Sequence, residues 1–244
     1  GVAMLTSIIT PWYRRAQTRA GGSCDRAGSV DPTPILDYTT DVLQDLVGRA
    51  RAESGGADSL AMVQAAHALI RDEVRAVYGM EEATPASETL MQGSGSCSQR
   101  LAILESAARA VGIQTRVRAL LVDRSFWAPR FPRFTFVLPP HIVIAWPEFL
   151  LEDWRSASEL FGPVGCQNGP AFTNSGSETL FEAVGRCAVD WDGLTGGGES
   201  DLSRFVRADL GYFTNRDELF ARVGQTLCAP SRKLVDPVMR RIAA

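Results

Sequence analysis

Apolar positions recur at helical spacing in three stretches of the first half of the chain. Thr39-Thr40-Asp41 can cap a helix that runs to about Ala52, and Gly55-Gly56 breaks it. Asp58 or Ser59 then caps a second helix, in which Leu60, Met62, Val63, Ala66, Ile70, Val74 and Val77 form one stripe out to Tyr78. The third follows the small-residue run Gln92-Gly-Ser-Gly-Ser-Cys97. Leu101, Leu104, Ala108 and Val111 line one face, and Gly112 closes the helix, as a glycine just past the last turn does. After it the period changes. Thr115 to Val122 alternates weakly and predicts a strand. Beyond a loop carrying Phe126, Trp127, Phe131 and Phe134, a hairpin-like pair of strands is predicted over His141-Ile-Val-Ile-Ala-Trp146 and Phe149-Leu-Leu-Glu-Asp-Trp154. Residues 20–34, rich in Gly, Ser, Asp and Pro, predict a loop, and from about Thr179 the chain reads as helical pieces starting near Asp201 and Arg216. The expectation is a single domain over 1–244, with a helical part at 1–90, a core at 91–160 and a mostly helical, lid-like part at 161–244.

Composition narrows the class. At 244 residues, 45% hydrophobic and 22% charged, the chain can bury a sizeable core without disulfide or metal staples. It carries 25 basic against 28 acidic residues, a formal net charge of −3; 24 of the basic residues are arginine and Lys233 is the single lysine. They are scattered among acids, so no basic stripe marks a nucleic-acid partner. No apolar run approaches the roughly 18 residues of a membrane span, and the first residues lack the charged and apolar regions of a signal peptide. A soluble cytoplasmic protein with no membrane partner is the expectation. The five cysteines, at 24, 97, 166, 187 and 228, are odd in number and contain no Cys-x-x-Cys pair. Gly196-Gly197-Gly198 is not followed by the Gly-Lys-Ser/Thr of a phosphate loop. No metal and no cofactor are expected.

Chemistry concentrates around Cys97. It falls in the first turn of a helix, where unpaired N–H groups and the macrodipole favour a thiolate over a thiol. Two histidines exist, His67 and His141; His67 lies mid-helix among alanines and reads as a packed residue. His141 follows Cys97 by 44 residues and opens a strand, and Asp153 follows it by 12. An imidazole that takes the thiol proton, with a carboxylate fixing its tautomer, is the arrangement of nucleophilic cysteine catalysis. A two-residue turn at Pro147-Glu148 would set Glu152 on the face of His141, but Pro147 cannot adopt the positive φ of such turns. A longer loop or a bulge restores Asp153, which is the preferred carboxylate; Asp123, ending the preceding strand, is the alternative. The other reading of Cys97 is a packing thiol, as the remaining four cysteines are read. Arg124, Arg130 and Arg133 read as a solvated face or as a contact for an acidic partner.

Residues from about 57 to 155 resemble the transglutaminase-like superfamily of papain-related cysteine enzymes. The resemblance is carried by Pro85-Ala-Ser-Glu-Thr-Leu, Gly95-Ser-Cys97, the helix ending Arg109-Ala-Val-Gly-Ile-Gln-Thr-Arg116, and His141 and Asp153 on successive strands. It implies an α+β, papain-like fold in which the helix bearing Cys97 packs on an antiparallel sheet, with further helices at both ends. It also implies acyl transfer or amide hydrolysis in the order Cys, His, Asp, and an upstream oxyanion donor whose place Gln92 could fill with the N–H of Cys97. The superfamily's usual His-Ala-Trp is here His141-Ile-Val. More narrowly, the size, arginine content and helical tail resemble actinobacterial Dieckmann cyclases. That resemblance implies that Cys97 accepts an acyl chain from a carrier-protein thioester on its phosphopantetheine arm, and that a deprotonated carbon of the chain closes a tetramic acid or pyridone ring. Two rival readings are a hydrolase or acyltransferase using the same residues, and an inactive transglutaminase-like binding module.

Overall fold

The computed structural model describes residues 27–56, 58–164, 169–198, 201–227 and 229–242. Cys24, Cys166 and Cys228 lie outside the described residues, as does the start of the chain. The first two helices, α1 (Asp41–Ser54) and α2 (Ser59–Glu73), start where their caps predict. Thr40 precedes α1, Gly55 ends it at φ +71°, and the Asp58 carboxylate accepts from the N–H of Leu60 at 2.9 Å. The stripe of α2 was expected to continue to Tyr78, but the helix ends at Glu73. Val74 turns extended at φ −114°, and the chain becomes β1 (Arg75–Ala76), paired in parallel with β2 (Ser94–Gly95). The valines at 74 and 77 remain buried across the change, so their helical spacing was met by strand geometry.

Between β1 and β2 lies the short α3 (Ala86–Gln92), and straight after β2 comes α4 (Cys97–Ala110). The main sheet is antiparallel with strand order β5-β4-β3-β6: β3 (Thr115–Asp123), β4 (His141–Leu150), β5 (Trp154–Ser156) and β6 (Val206–Phe213). Short helices α5 (Leu180–Ala183) and α6 (Arg216–Arg222) and the longer α7 (Ala229–Met239) complete the described elements. The fold class is α+β, as expected. The C-terminal part, however, is less helical than its reading. Val206, Ala208 and Leu210 alternate with Arg207 and Asp209, a period of two that serves a strand, and β6 joins the sheet beside β3.

The largest departure is in β4. The predicted turn at Pro147-Glu148 is absent, and one strand runs from His141 to Leu150 in unbroken register with β3. The reason lies in the direction of the amide groups. The N–H of Val143 points away from β3, donating to Thr226 Oγ1 at 3.1 Å, and residue 147 has the same parity. Because β5 pairs only with residues 148–150, Pro147 stands on an unpaired outer edge and loses no ladder hydrogen bond.

Two apolar clusters sandwich the sheet. Leu120, Val122, Ile144 and Trp146 face the helices α1, α2 and α4, whereas Val117, Ala119, Val143 and Ala145 face α6 with Leu219 and Phe220. The preference for arginine over lysine also finds its use here, since Arg100, Arg109 and Arg216 are all fully buried. Their planar forks satisfy several acceptors at once, which an ammonium group cannot do as well. Arg100 bonds Glu182 at 2.7 Å and Thr179 at 2.8 Å, and Arg216 bonds Glu105 at 2.8 Å.

Candidate active site around Cys97

Cys97 is the first residue of α4, and its position is fixed from both sides. Ser96 caps the helix, accepting from the N–H of Gln99 at 3.1 Å, while Gln99 Oε1 accepts from the N–H of Ser96 at 3.0 Å. This reciprocal box is legible as Ser-x-x-Gln and leaves the thiol in the turn where backbone donors converge. Gln99 is itself buried and donates to Glu81 O at 3.0 Å. On the other side, the β1–β2 ladder pairs Ala76 with Gly95, and Val77 donates to Gly95 O at 3.1 Å. Continued by two residues, that register sets Tyr78 beside Cys97. A side chain at Gly95 would lie 2.5 Å from Thr89 Cγ2, so the close approach of these segments requires glycine.

Cys97 opens on a cavity of about 460 Å³. Its wall is mainly apolar, with Leu101, Phe126, Trp127, Phe131 and Trp146 among its members, and β4 contributes the run Ile142 to Trp146. Met239 of α7 lines it as well. The aromatic loop read from the sequence therefore forms part of a ligand-sized chamber. Among the described residues lining it, the titratable groups are Tyr78, Glu82, Cys97 and Arg130. Glu82 accepts from Ser98 Oγ at 2.5 Å and lies 3.8 Å from Arg216. Burial holds its carboxyl above the usual carboxylate range, with Arg216 and Ser98 opposing the shift.

The structure does not gather all the residues that the sequence proposed. His141 sits one position outside the run of β4 that lines the cavity, and its parity is that of Val143 and Ala145, on the α6 face. It is the Cα partner of Asp123. The Asp123 carboxylate accepts from the N–H of Ser125 at 2.8 Å and lies 3.3 Å from Arg207 Nε; these contacts outweigh desolvation and hold its carboxyl below its ordinary range. Asp153 is in the turn beyond the other end of β4. Nine strand steps at about 3.3 Å separate His141 from Leu150, so Asp153 is roughly 30 Å away and cannot serve that imidazole. The unbroken strand through Pro147 is the cause of this correction, and it removes Glu152 equally. Gln92 is also displaced from its expected role: at the end of α3 it is exposed and donates to Glu88 Oε1 at 3.2 Å. His67 is packed, as read, stacking on Phe181 at 4.4 Å and bonding its carbonyl oxygen at 2.7 Å.

Three titratable residues at the cavity, Tyr78, Glu82 and Arg130, were not found from the sequence. Tyr78 was placed in a helix, and Arg130 on a solvated face. In the structure Arg130 donates to Asn174 Oδ1 at 2.7 Å, to Gly176 O at 3.3 Å, to the carbonyl of Glu178 and to Tyr78 Oη at 3.4 Å. Burial holds the Tyr78 phenol above its ordinary range, Arg130 opposing, and a Cys97 thiolate would push it the same way as burial. Nothing local in the sequence announces this site, because the partners of Arg130 come from 44 to 52 residues away.

Residues 48–157 match the family model of the transglutaminase-like superfamily. No curated protein and no solved structure matches the chain. The matched segment runs from within α1 to just past β5 and so contains Cys97 and the three strands β3, β4 and β5.

Proposed function

We propose that the protein is a cysteine acyltransferase that takes an apolar acyl thioester onto Cys97 and releases it by Dieckmann-type ring closure. The observation that carries this reading is the seating of Cys97, at a helix N-terminus, in the wall of a largely apolar cavity. A transglutaminase-like domain suggests acyl transfer at such a cysteine. The chemistry of the wall selects among acyl transfers. Expelling an amine from an amide requires a proton donor to the leaving nitrogen, whereas a thiolate departs unprotonated. A cavity whose described wall carries no imidazole suits the thioester, and its largely apolar wall suits cyclisation over hydrolysis.

In this reading the Cys97 thiolate attacks the thioester carbonyl of a carrier-bound β-ketoacyl-aminoacyl chain, and the carrier thiolate leaves. The methylene between the two carbonyls of the chain then loses a proton to Glu82, the carboxylate in the wall. The resulting carbanion attacks the acyl-enzyme carbonyl, a carbon–carbon bond forms, and Cys97 departs as thiolate with the tetramic acid released. The proton on Glu82 passes to the carrier thiolate, so the balance is one thioester converted into one ring and one thiol. A binding module without turnover is the second reading, favoured by the lack of an imidazole among the described residues lining the cavity. Incubation of wild type and Cys97→Ala with a β-ketoacyl-aminoacyl thioester mimic, scored for cyclised product and free acid by mass spectrometry, separates them. Ring formation by the wild type alone supports the cyclase, free acid alone points to a hydrolase, and no product from either protein favours the binding module.

A further inference from the structure

The polar atoms of the cavity are not distributed evenly. Arg130 is held entirely by neutral oxygens, namely one amide, two backbone carbonyls and the Tyr78 phenol. Among the described residues no carboxylate forms an ion pair with it, and the side chain of Glu178, whose carbonyl it binds, is engaged by Arg186 at 2.7 Å. Asn174, which takes the Nε–H of Arg130, is locked in turn by donating to Phe126 O at 2.7 Å and adopts φ +52°, an unusual backbone for a residue other than glycine. The guanidinium is thus fixed in place with its positive charge uncompensated, at a wall whose other described members are mainly apolar. Such a charge, beside a largely apolar wall, favours an anion.

We infer that Arg130 and Tyr78 form an anion-binding pole of the Cys97 cavity, which selects long apolar chains whose head group is negatively charged or becomes so during reaction. The apolar wall takes the chain, and the phenol and guanidinium take the oxygen. As a contribution to catalysis this rests on the acyl-transfer reading of Cys97, where Tyr78 supplies the oxyanion donor once assigned to Gln92. As a binding site it does not. Burial and the neighbouring sulfur keep the phenol protonated at neutral pH, which is the form that donates.

The test compares decanoate with decanol, which share chain length and differ in head charge. Binding is followed through intrinsic tryptophan fluorescence, since Trp127 and Trp146 both line the cavity, and by calorimetry. It is carried out in wild type, in Cys97→Ala, in Tyr78→Phe and in Arg130→Gln. Decanoate is expected to bind at least ~10-fold more tightly than decanol in both wild type and Cys97→Ala, as a charge-assisted hydrogen bond to a fixed guanidinium would give. Tyr78→Phe, which removes one hydroxyl and no packing, is expected to weaken decanoate several-fold and to leave decanol unchanged. Arg130→Gln is expected to abolish the preference if the 174–178 segment stays folded, and Tyr78→Phe decides the matter if it does not. Equal affinities for the two ligands, binding of neither, or equal weakening of both in Tyr78→Phe would overturn the assignment. A preference retained in Cys97→Ala, with no acyl group taken up from a thioester by the wild type, would keep the anion pole and discard the acyl-transfer reading.

Discussion

Asp123 and His141 face each other as Cα partners where the β3–β4 ladder ends, and Asp153 lies beyond the opposite end of β4. The two carboxylates that the sequence offers as alternatives are therefore separated by the length of a strand. Asp153 is 79% exposed, with Arg155 at 3.8 Å as its ion-pair partner. Asp153→Asn is expected to leave turnover within about 2-fold and stability within about 0.5 kcal/mol, as for surface substitutions generally. Steady-state kinetics and denaturant unfolding check this, and a loss above ~100-fold would return Asp153 to the site.

Glu82 is the carboxylate that the cavity does contain. Glu82→Gln is expected to retain acylation of Cys97 and to slow ring closure by about 10²–10³-fold, the range of a general base, so that acyl-enzyme accumulates. Because the base must be ionised and burial raises its pKa, the wild-type rate of ring closure should fall as pH drops through a value above the ordinary glutamate range. Single-turnover mass spectrometry reads both effects. Loss of acylation itself in Glu82→Gln would assign this side chain to the nucleophile.

Arg216 ties α4, α6 and β4 together. It bonds Glu105 at 2.8 Å with both side chains 1% exposed, donates to Ser98 Oγ at 2.9 Å and reaches Ala145 O at 3.4 Å. Removing one partner strands the other charge in the core. Arg216→Met is expected to cost about 3–5 kcal/mol in urea unfolding, and the double change Arg216→Met with Glu105→Leu considerably less. Additive costs would contradict the pairing.

His67 supplies a pH signature of the folded state. Desolvation, chiefly, lowers its pKa to about 4 from 6.5, against the pull of its bond to Phe181 O. Since the folded value lies below the unfolded one, the unfolded chain takes up the proton first as pH falls. The contribution is complete above pH 6.5 and is lost progressively between 6.5 and 4, by up to about 3 kcal/mol. Unfolding free energies in wild type and His67→Gln should show this slope in the wild type and its loss in the variant.

Local signals made Cys97 legible. A glycine-serine run, a serine cap and an apolar stripe at helical spacing together specify a helix start, and the helix begins at that residue. The strand over Thr115 to Val122 and the caps of α1 and α2 were readable for the same reason, as each is a short-range rule. What escaped depends on distant partners. Pro147 reads as a strand breaker until the outer edge of β4 is known to be unpaired, and that single fact moves Asp153 from the site to the far end of the strand. Tyr78 continues a helical stripe by spacing, yet a two-residue parallel ladder with β2 turns it toward Cys97. Arg130 is one of three arginines on its loop, and only its distant partners, Tyr78, Asn174 and the carbonyls of residues 176 and 178, distinguish it from a solvated cation.

Acylation of Cys97 is the step on which the proposed chemistry depends. Wild type, Cys97→Ala and Cys97→Ser are mixed with a decanoyl thioester, quenched within seconds, and their intact masses and proteolytic fragments are measured. One acyl group is expected on wild type, located on the fragment holding Cys97, and none on Cys97→Ala. An acyl group on the buried Cys187, or equal labelling of wild type and Cys97→Ala, would contradict it.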